Sequence, residues 1–197
     1  MMKPIAGKQR FKGFSTETFQ FLRGLSEYQS KTYWDSHEDI YRREVLAPMQ
    51  HLLADLESEF GPGKVLSMRR DNRFSPDPSP FKTYLGAVIY RESGMCYYLE
   101  VSPEGMMAAG GWRFNHPADQ VDRFRAAIDR EESGQLFERI AAYLRENRFE
   151  MVGDKIKTAP RGYPADHPRI EWLRYKTVCA EYRWPVEDWM FTVDALR

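Results

Sequence analysis

The stretch TYLGAVIYRESGMCYYLEVSPEGMMAAGGWRF, residues 83–114, decides the fold. Three apolar runs of strand length are separated by the turn formers ESG and SPEG. Short runs rich in β-branched and aromatic residues, bounded in this way, read as strands. In the second run Met95, Tyr97, Leu99 and Val101 line one face, and Cys96, Tyr98 and Glu100 line the other. That alternation is the period of a strand. The turns are too short for crossover helices, so the expected arrangement is an antiparallel meander. Just upstream, VLSMRR (65–70) reads as a further strand.

On either side the apolar period lengthens to that of a helix. Ser15 caps a helix through Glu17, Phe19, Phe21 and Leu22, with Glu17 placed to favour the dipole. Trp34, His37, Ile40, Tyr41 and Val45 keep helical spacing. Leu52, Leu53, Leu56 and Phe60 continue it beyond Pro48. Pro48 lacks an N–H and should bend or split that helix. Downstream, Pro117 opens a helix with Val121, Phe124 and Ile128, and Ser133 caps one with Phe137, Ile140, Ala141 and Leu144. Pro168 starts another with Ile170, Leu173 and Arg174, and Val186, Trp189, Met190 and Val193 mark a last. The expectation is α+β: a single domain over residues 1–197, its antiparallel mid-chain sheet packed against N- and C-terminal helices.

Bulk composition narrows the function classes. The chain has 197 residues, 42% of them hydrophobic, enough for a packed core. Its 29 basic and 29 acidic residues cancel, which leaves no long-range attraction to DNA or an acidic membrane. The charge is uneven, however. Lys155, Lys157, Arg161, Arg169, Arg174 and Lys176 outweigh Asp166 and Glu171 across residues 155–176. Tyr163 and Trp172 there could stack on bases, but neutrality and the lack of a nucleic-acid motif make such a partner the weaker reading. No apolar run reaches the roughly 18 residues of a membrane span. The N-terminus lacks the apolar centre of a signal peptide. A cytoplasmic protein with reduced cysteines is therefore expected.

Several familiar chemistries lack their residues. Gly63-Lys64 is preceded by Ser58 where a P-loop needs glycine, and followed by Val65 where it needs a hydroxyl. There is no GxGxxG and no GxSxG. His37-Glu38 does not extend to HExxH, because Tyr41 holds the second histidine's place. Cys96 and Cys179 form no CxxC, and four scattered histidines make no zinc set. Neither a metal nor a cofactor is expected. Oligomeric state leaves no sequence signal.

Two polar blocks remain. The first, RRDNRFSPDPSPFKTY (69–84), places Arg69, Arg70, Arg73 and Lys82 around Asp71 and Asp77. Guanidinium groups there can grip a phosphate or carboxylate as a fork. The architectural alternative is that the same ion pairs pin a proline-rich loop. The second block, TAPRGYPADHPRIEWLRYK (158–176), holds Arg161, Tyr163, Asp166, His167 and Lys176. His116-Pro117 and His167-Pro168 both put histidine before a proline that suits the first turn of a helix. His167 beside Asp166 is also the candidate proton carrier. No nucleophile accompanies it, so the reaction class stays open.

These blocks, with FKGFSTETFQFL and YQSKTYWDSHEDIY near the start, resemble the bacterial family called domain of unknown function 2461. That family's patterns are similar to RDxRFSxDKxPYK and APRGYxxDHP. Arg70, Asp71, Arg73, Phe74, Ser75, Asp77, Pro80 and Lys82 match the first. Ala159 to Tyr163 and Asp166 to Pro168 match the second. Pro78 stands in place of the pattern's lysine and Phe81 in place of its tyrosine. The resemblance implies a single α+β domain and groups the two blocks in one pattern. The resulting expectation is an anion site made by Arg70, Asp71, Arg73, Asp77, Lys82, Arg161, Tyr163 and Lys176, with His167 and Asp166 moving a proton. A scaffold held by a salt-bridge network is the rival.

Overall fold

The computed structural model describes residues 10–71, 78–91, 94–112 and 119–196. Six strands form one antiparallel sheet in the order β1-β2-β3-β4-β6-β5. They are β1 Gly63–Val65, β2 Leu85–Tyr90, β3 Met95–Ser102, β4 Gly105–Trp112, β5 Glu150–Val152 and β6 Val178–Pro185. The three runs that opened the reading are β2, β3 and β4, and the α+β class stands. The chain divides into two compact units.

One unit gathers Met1–Ile89, Tyr98–Met107 and Arg183–Arg197. Its helices are α1 Thr16–Glu27, α2 Lys31–Ile40 and α3 Ala47–Phe60. Ser15 caps α1 reciprocally: Thr18 N–H donates to the Ser15 hydroxyl and Ser15 N–H to the Thr18 hydroxyl. Ser30 caps α2 by accepting from Tyr33 N–H. Pro48 does not break the helix. Residues Tyr41–Leu46 form a π-helical turn joining α2 to α3, in which Ala47 N–H reaches back to Arg42 O. Gly61 ends α3 with φ 92°, a left-handed conformation that glycine adopts without steric cost. β1 pairs with β2 in the register Gly63↔Ile89 and Val65↔Ala87. Leu85 to Ile89 are all buried, as a strand covered on both faces requires. Phe11, Leu22, Leu25, Met49, Leu52, Leu85 and Met190 are fully enclosed in this unit's core.

The other unit gathers Tyr90–Tyr97 and Ala108–Tyr182. It holds α4 Gln120–Asp129, α5 Glu131–Glu146 and the single turn α6 Ile170–Leu173. Aromatic rings form a row through its core. Trp112 meets Phe124 at 5.4 Å, Phe124 meets Phe137 at 5.6 Å, and Phe137 meets Trp172 at 5.0 Å. β5 pairs with β6 in the register Glu150↔Glu181 and Val152↔Cys179.

Five expectations are corrected. VLSMRR is not one strand: β1 ends at Val65, and Arg69 forms an isolated bridge with Phe81. The helix from Pro168 shrinks to one turn. Its sequel is β6, which the helical reading of the C-terminus overlooked. The last helix is replaced by two 3-10 turns, Asp188–Phe191 and Val193–Leu196. Ser133 is not a cap but lies within α5, where its hydroxyl donates to Ala127 O at 2.5 Å. His116 and Pro117 lie outside the described residues.

Candidate functional site

The second polar block folds as successive turns. Tyr163 N–H donates to Pro160 O, His167 N–H to Pro164 O and Ile170 N–H to His167 O. Proline presets such turns, and Gly162 supplies φ 91°. The turns bring His167 to the last residue of α4: its Nε2 is 3.1 Å from Asp129 Oδ1. Arg169 N–H donates to His167 Nδ1 at 3.0 Å. Since Nδ1 accepts, the neutral ring carries its proton on Nε2 and donates it to Asp129. Both ring nitrogens are therefore engaged.

Arg169 ties the same block to α5. It is 6% exposed; its Nε donates to Glu138 Oε2 and its Nη2 to Glu131 Oε2, both at 2.9 Å. The guanidinium's hydrogen bond and charge hold the Glu131 carboxyl below its usual value. Gly134 makes room for this side chain: a Cβ there would lie 2.8 Å from Arg169 Nε and 2.3 Å from Ile128 O.

Beside this block, within the same unit, a cleft of about 950 Å³ opens between α4, α5 and the strands. Arg123, Ala126 and Ala127 line it from α4 and Arg130 from the residue that follows; Phe137, Ile140, Ala141 and Leu144 line it from α5. The α5 set has the i, i+3, i+4, i+7 spacing of one helix face. Gly110, Gly111, Val178, Cys179 and Ala180 contribute the strand side. Tyr163 and Asp129 also line the cleft, and Tyr163 meets His167 edge-on at 6.2 Å. Burial, followed by the charge of Asp129, pushes the Tyr163 hydroxyl above its usual value. Neither Arg123 nor Arg130 has an ion-pair partner among the described residues. Gln120 Oε1, also on the lining, is enclosed without a hydrogen-bond partner.

Of the residues singled out from sequence, Tyr163 and His167 come together here. Arg161, Asp166 and Lys176 are exposed. His167 takes Asp129, 38 residues away, as its carboxylate, where adjacency had suggested Asp166. The first polar block belongs to the other unit. There Arg70 N–H donates to Pro80 O at 3.0 Å and Lys82 N–H to Met68 O at 2.7 Å, closing the ends of the loop. Asp71 is exposed, and Lys82 Nζ sits 5.9 Å from the Tyr84 ring centroid. Arg73 and Asp77 lie outside the described residues. Among the described residues no group of three or more His, Cys, Asp and Glu could hold a metal, and no helix is long and apolar enough to cross a membrane.

A family model described as "Conserved hypothetical protein (DUF2461)" matches residues 17–196. The chain belongs to that family. The DUF2461 span takes in every strand and both polar blocks. No curated protein and no solved structure matches the chain. In this DUF2461 member the reading from sequence passed over Asp129, Arg169, Arg123 and Arg130. The signal for the last two was the Arg-x-x-Ala-Ala-x-x-Arg spacing of residues 123–130, two cations flanking small residues.

Proposed function

We propose that the chain binds a small organic anion in the cleft between α4 and α5. The observation that carries this is the pair of guanidinium groups, Arg123 and Arg130, without carboxylate partners among the described residues, on the lining of an apolar recess. Apolar pockets of this size with a few convergent polar groups are the usual form of a small-molecule site. Arginine suits carboxylate or phosphate because its planar fork matches their oxygens. Asp129 lies on the same lining and accepts from His167, which offsets part of its charge; two guanidiniums against one carboxylate still leave the lining positive. His167, with both nitrogens engaged, supports holding the wall in place more than carrying a proton, which needs a nitrogen open to the reactant.

Phenyl phosphate and benzoate are suitable probes, followed by thermal shift and calorimetry. Both should raise the melting temperature in proportion to concentration. The double substitution Arg123→Ala, Arg130→Ala should weaken binding about tenfold or more, since a charge-assisted hydrogen bond contributes about 1.5–3 kcal/mol. No saturable binding of either probe by the unsubstituted protein would refute the reading.

A second reading, in which the block at 158–176 is architectural only, is favoured by the contacts of Arg169 with Glu131 and Glu138. It expects Arg169→Met to lower stability whether or not a ligand binds. The binding reading expects Arg123→Ala to leave stability unchanged and to weaken probe binding.

A further inference from the structure

The lining of the cleft separates charge from apolar surface, and this bears on what the guest carries besides its anionic group. Resting on the anion reading above, we infer that the guest is an anionic amphiphile, an alkyl or acyl chain ending in phosphate or carboxylate. Among the described residues, the three charged residues of the lining are Arg123 and Asp129 on α4 and Arg130 immediately after it. The α5 face and the strand side of the lining carry no formal charge among the described residues.

The recess is kept open by small side chains. Ala126 and Ala127 withdraw bulk from the α4 face between the two arginines, and Ala180 does so on β6. Gly111 has φ 154°, and a Cβ there would stand 2.2 Å from Val178 O, so it serves the close pairing of β4 with β6. A bare anion would neutralise the guanidiniums and leave this apolar surface wet. Ile140 is 49% exposed and Met95 42% exposed at the cleft, and Leu136 and Tyr143 extend the exposed apolar strip along α5. Exposed apolar surface continuous with a groove marks a place where apolar matter binds. A chain laid against it, with its head on α4, satisfies both halves of the lining at once.

The test is a chain-length series on the full chain: butyl, octyl and dodecyl phosphate below their micelle concentrations, with dodecanol as the uncharged control. Calorimetry and the fluorescence of Trp112, which lines the cleft, report binding. Affinity should tighten about two- to fourfold per methylene buried. Binding should carry a negative heat-capacity change that grows with chain length. Dodecanol should bind at least tenfold more weakly than dodecyl phosphate. Ala127→Leu, which fills the recess, should abolish the dependence on chain length while leaving butyl phosphate bound. The series on the unsubstituted protein stands even if that variant does not fold. Equal affinity for butyl and dodecyl phosphate would overturn this inference and leave the anion site intact. Failure of every phosphate, phenyl phosphate included, would overturn both. Equal binding of dodecanol and dodecyl phosphate would remove the anionic head from the inference. Binding to phosphatidylglycerol vesicles with no binding of the monomeric phosphates would replace it with a membrane surface.

Discussion

Gly134 sits in the first turns of α5, where alanine would ordinarily be preferred by about 1 kcal/mol. Here the preference should reverse. A Cβ at this position meets the Ile128 carbonyl at 2.3 Å, and that oxygen belongs to the backbone of α4. Only part of the strain can be relieved by moving Arg169. Gly134→Ala should therefore lose about 1–3 kcal/mol, the usual cost of overpacking, as read by urea unfolding. A gain would show that α4 and α5 separate easily and that Arg169 does not fix their spacing. His167 gives a second residue-level expectation. Nitrogen-detected spectra of the neutral ring should show the proton on Nε2, and Asp129→Ala should leave Nδ1 unprotonated while shifting Nε2. The sequence made His167 legible as a polar residue before a proline. It hid the partner, because nothing in a one-dimensional chain distinguishes Asp166, one residue away and exposed, from Asp129, which the end of α4 delivers to the ring.

The continuous helix from α2 to α3 shows how an element absorbs a residue that should break it. In a regular helix the N–H of residue 48 would donate to Glu44 O, and Pro48 has none. Thr18, fully buried on α1, supplies the missing donor: its hydroxyl lies 2.6 Å from Glu44 O. Thr18→Val should then cost about 1–3 kcal/mol, the penalty for a buried carbonyl left unsatisfied. In a Pro48→Ala background, which restores an N–H, the same substitution should cost less. Undiminished cost in the double variant would mean that the hydroxyl serves only the α1 cap. β3 was legible because alternation and turn formers agreed, and β2 and β4 because the same turns bound their apolar runs. β6 was not, for a physical reason. It pairs with β4 on one side and β5 on the other, Val178 and Cys179 are buried in succession, and Ala180 to Tyr182 are half-buried. Only its second half alternates, Glu181 and Arg183 against Ala180, Tyr182 and Trp184, with Arg183 and Pro185 exposed; that is too short a run to stand against Trp189, Met190 and Val193, which suggested a helix beyond it.

For the molecule as a whole, net charge is zero at neutral pH, so the dependence of stability on pH comes from particular carboxylates. Among the described residues, three are held below the ordinary value of 4.5. Glu44 is lowered by the Ser15 hydroxyl, which donates to it at 2.7 Å, and then by Arg43. Glu131 is lowered by Arg169 and Glu171 by Lys155. A carboxyl depressed in the folded state stabilises that state at pH above its unfolded value. The contribution disappears as pH falls through the lowered folded value, because protonation removes the charged partner. The melting temperature should therefore hold level above about pH 5.5 and decline steadily below 4.5. Salt separates the causes. Glu131 and Glu171 are largely exposed, so 1 M NaCl should screen much of their share. Glu44 is mostly covered, and its first cause is a neutral hydroxyl, which salt does not screen. The acid decline that survives high salt should be reduced in Glu44→Gln and unchanged in Glu171→Gln. The opposite ranking would place the acid-sensitive stability of the fold at the surface pairs and not at the junction of α1 with the π-helical turn.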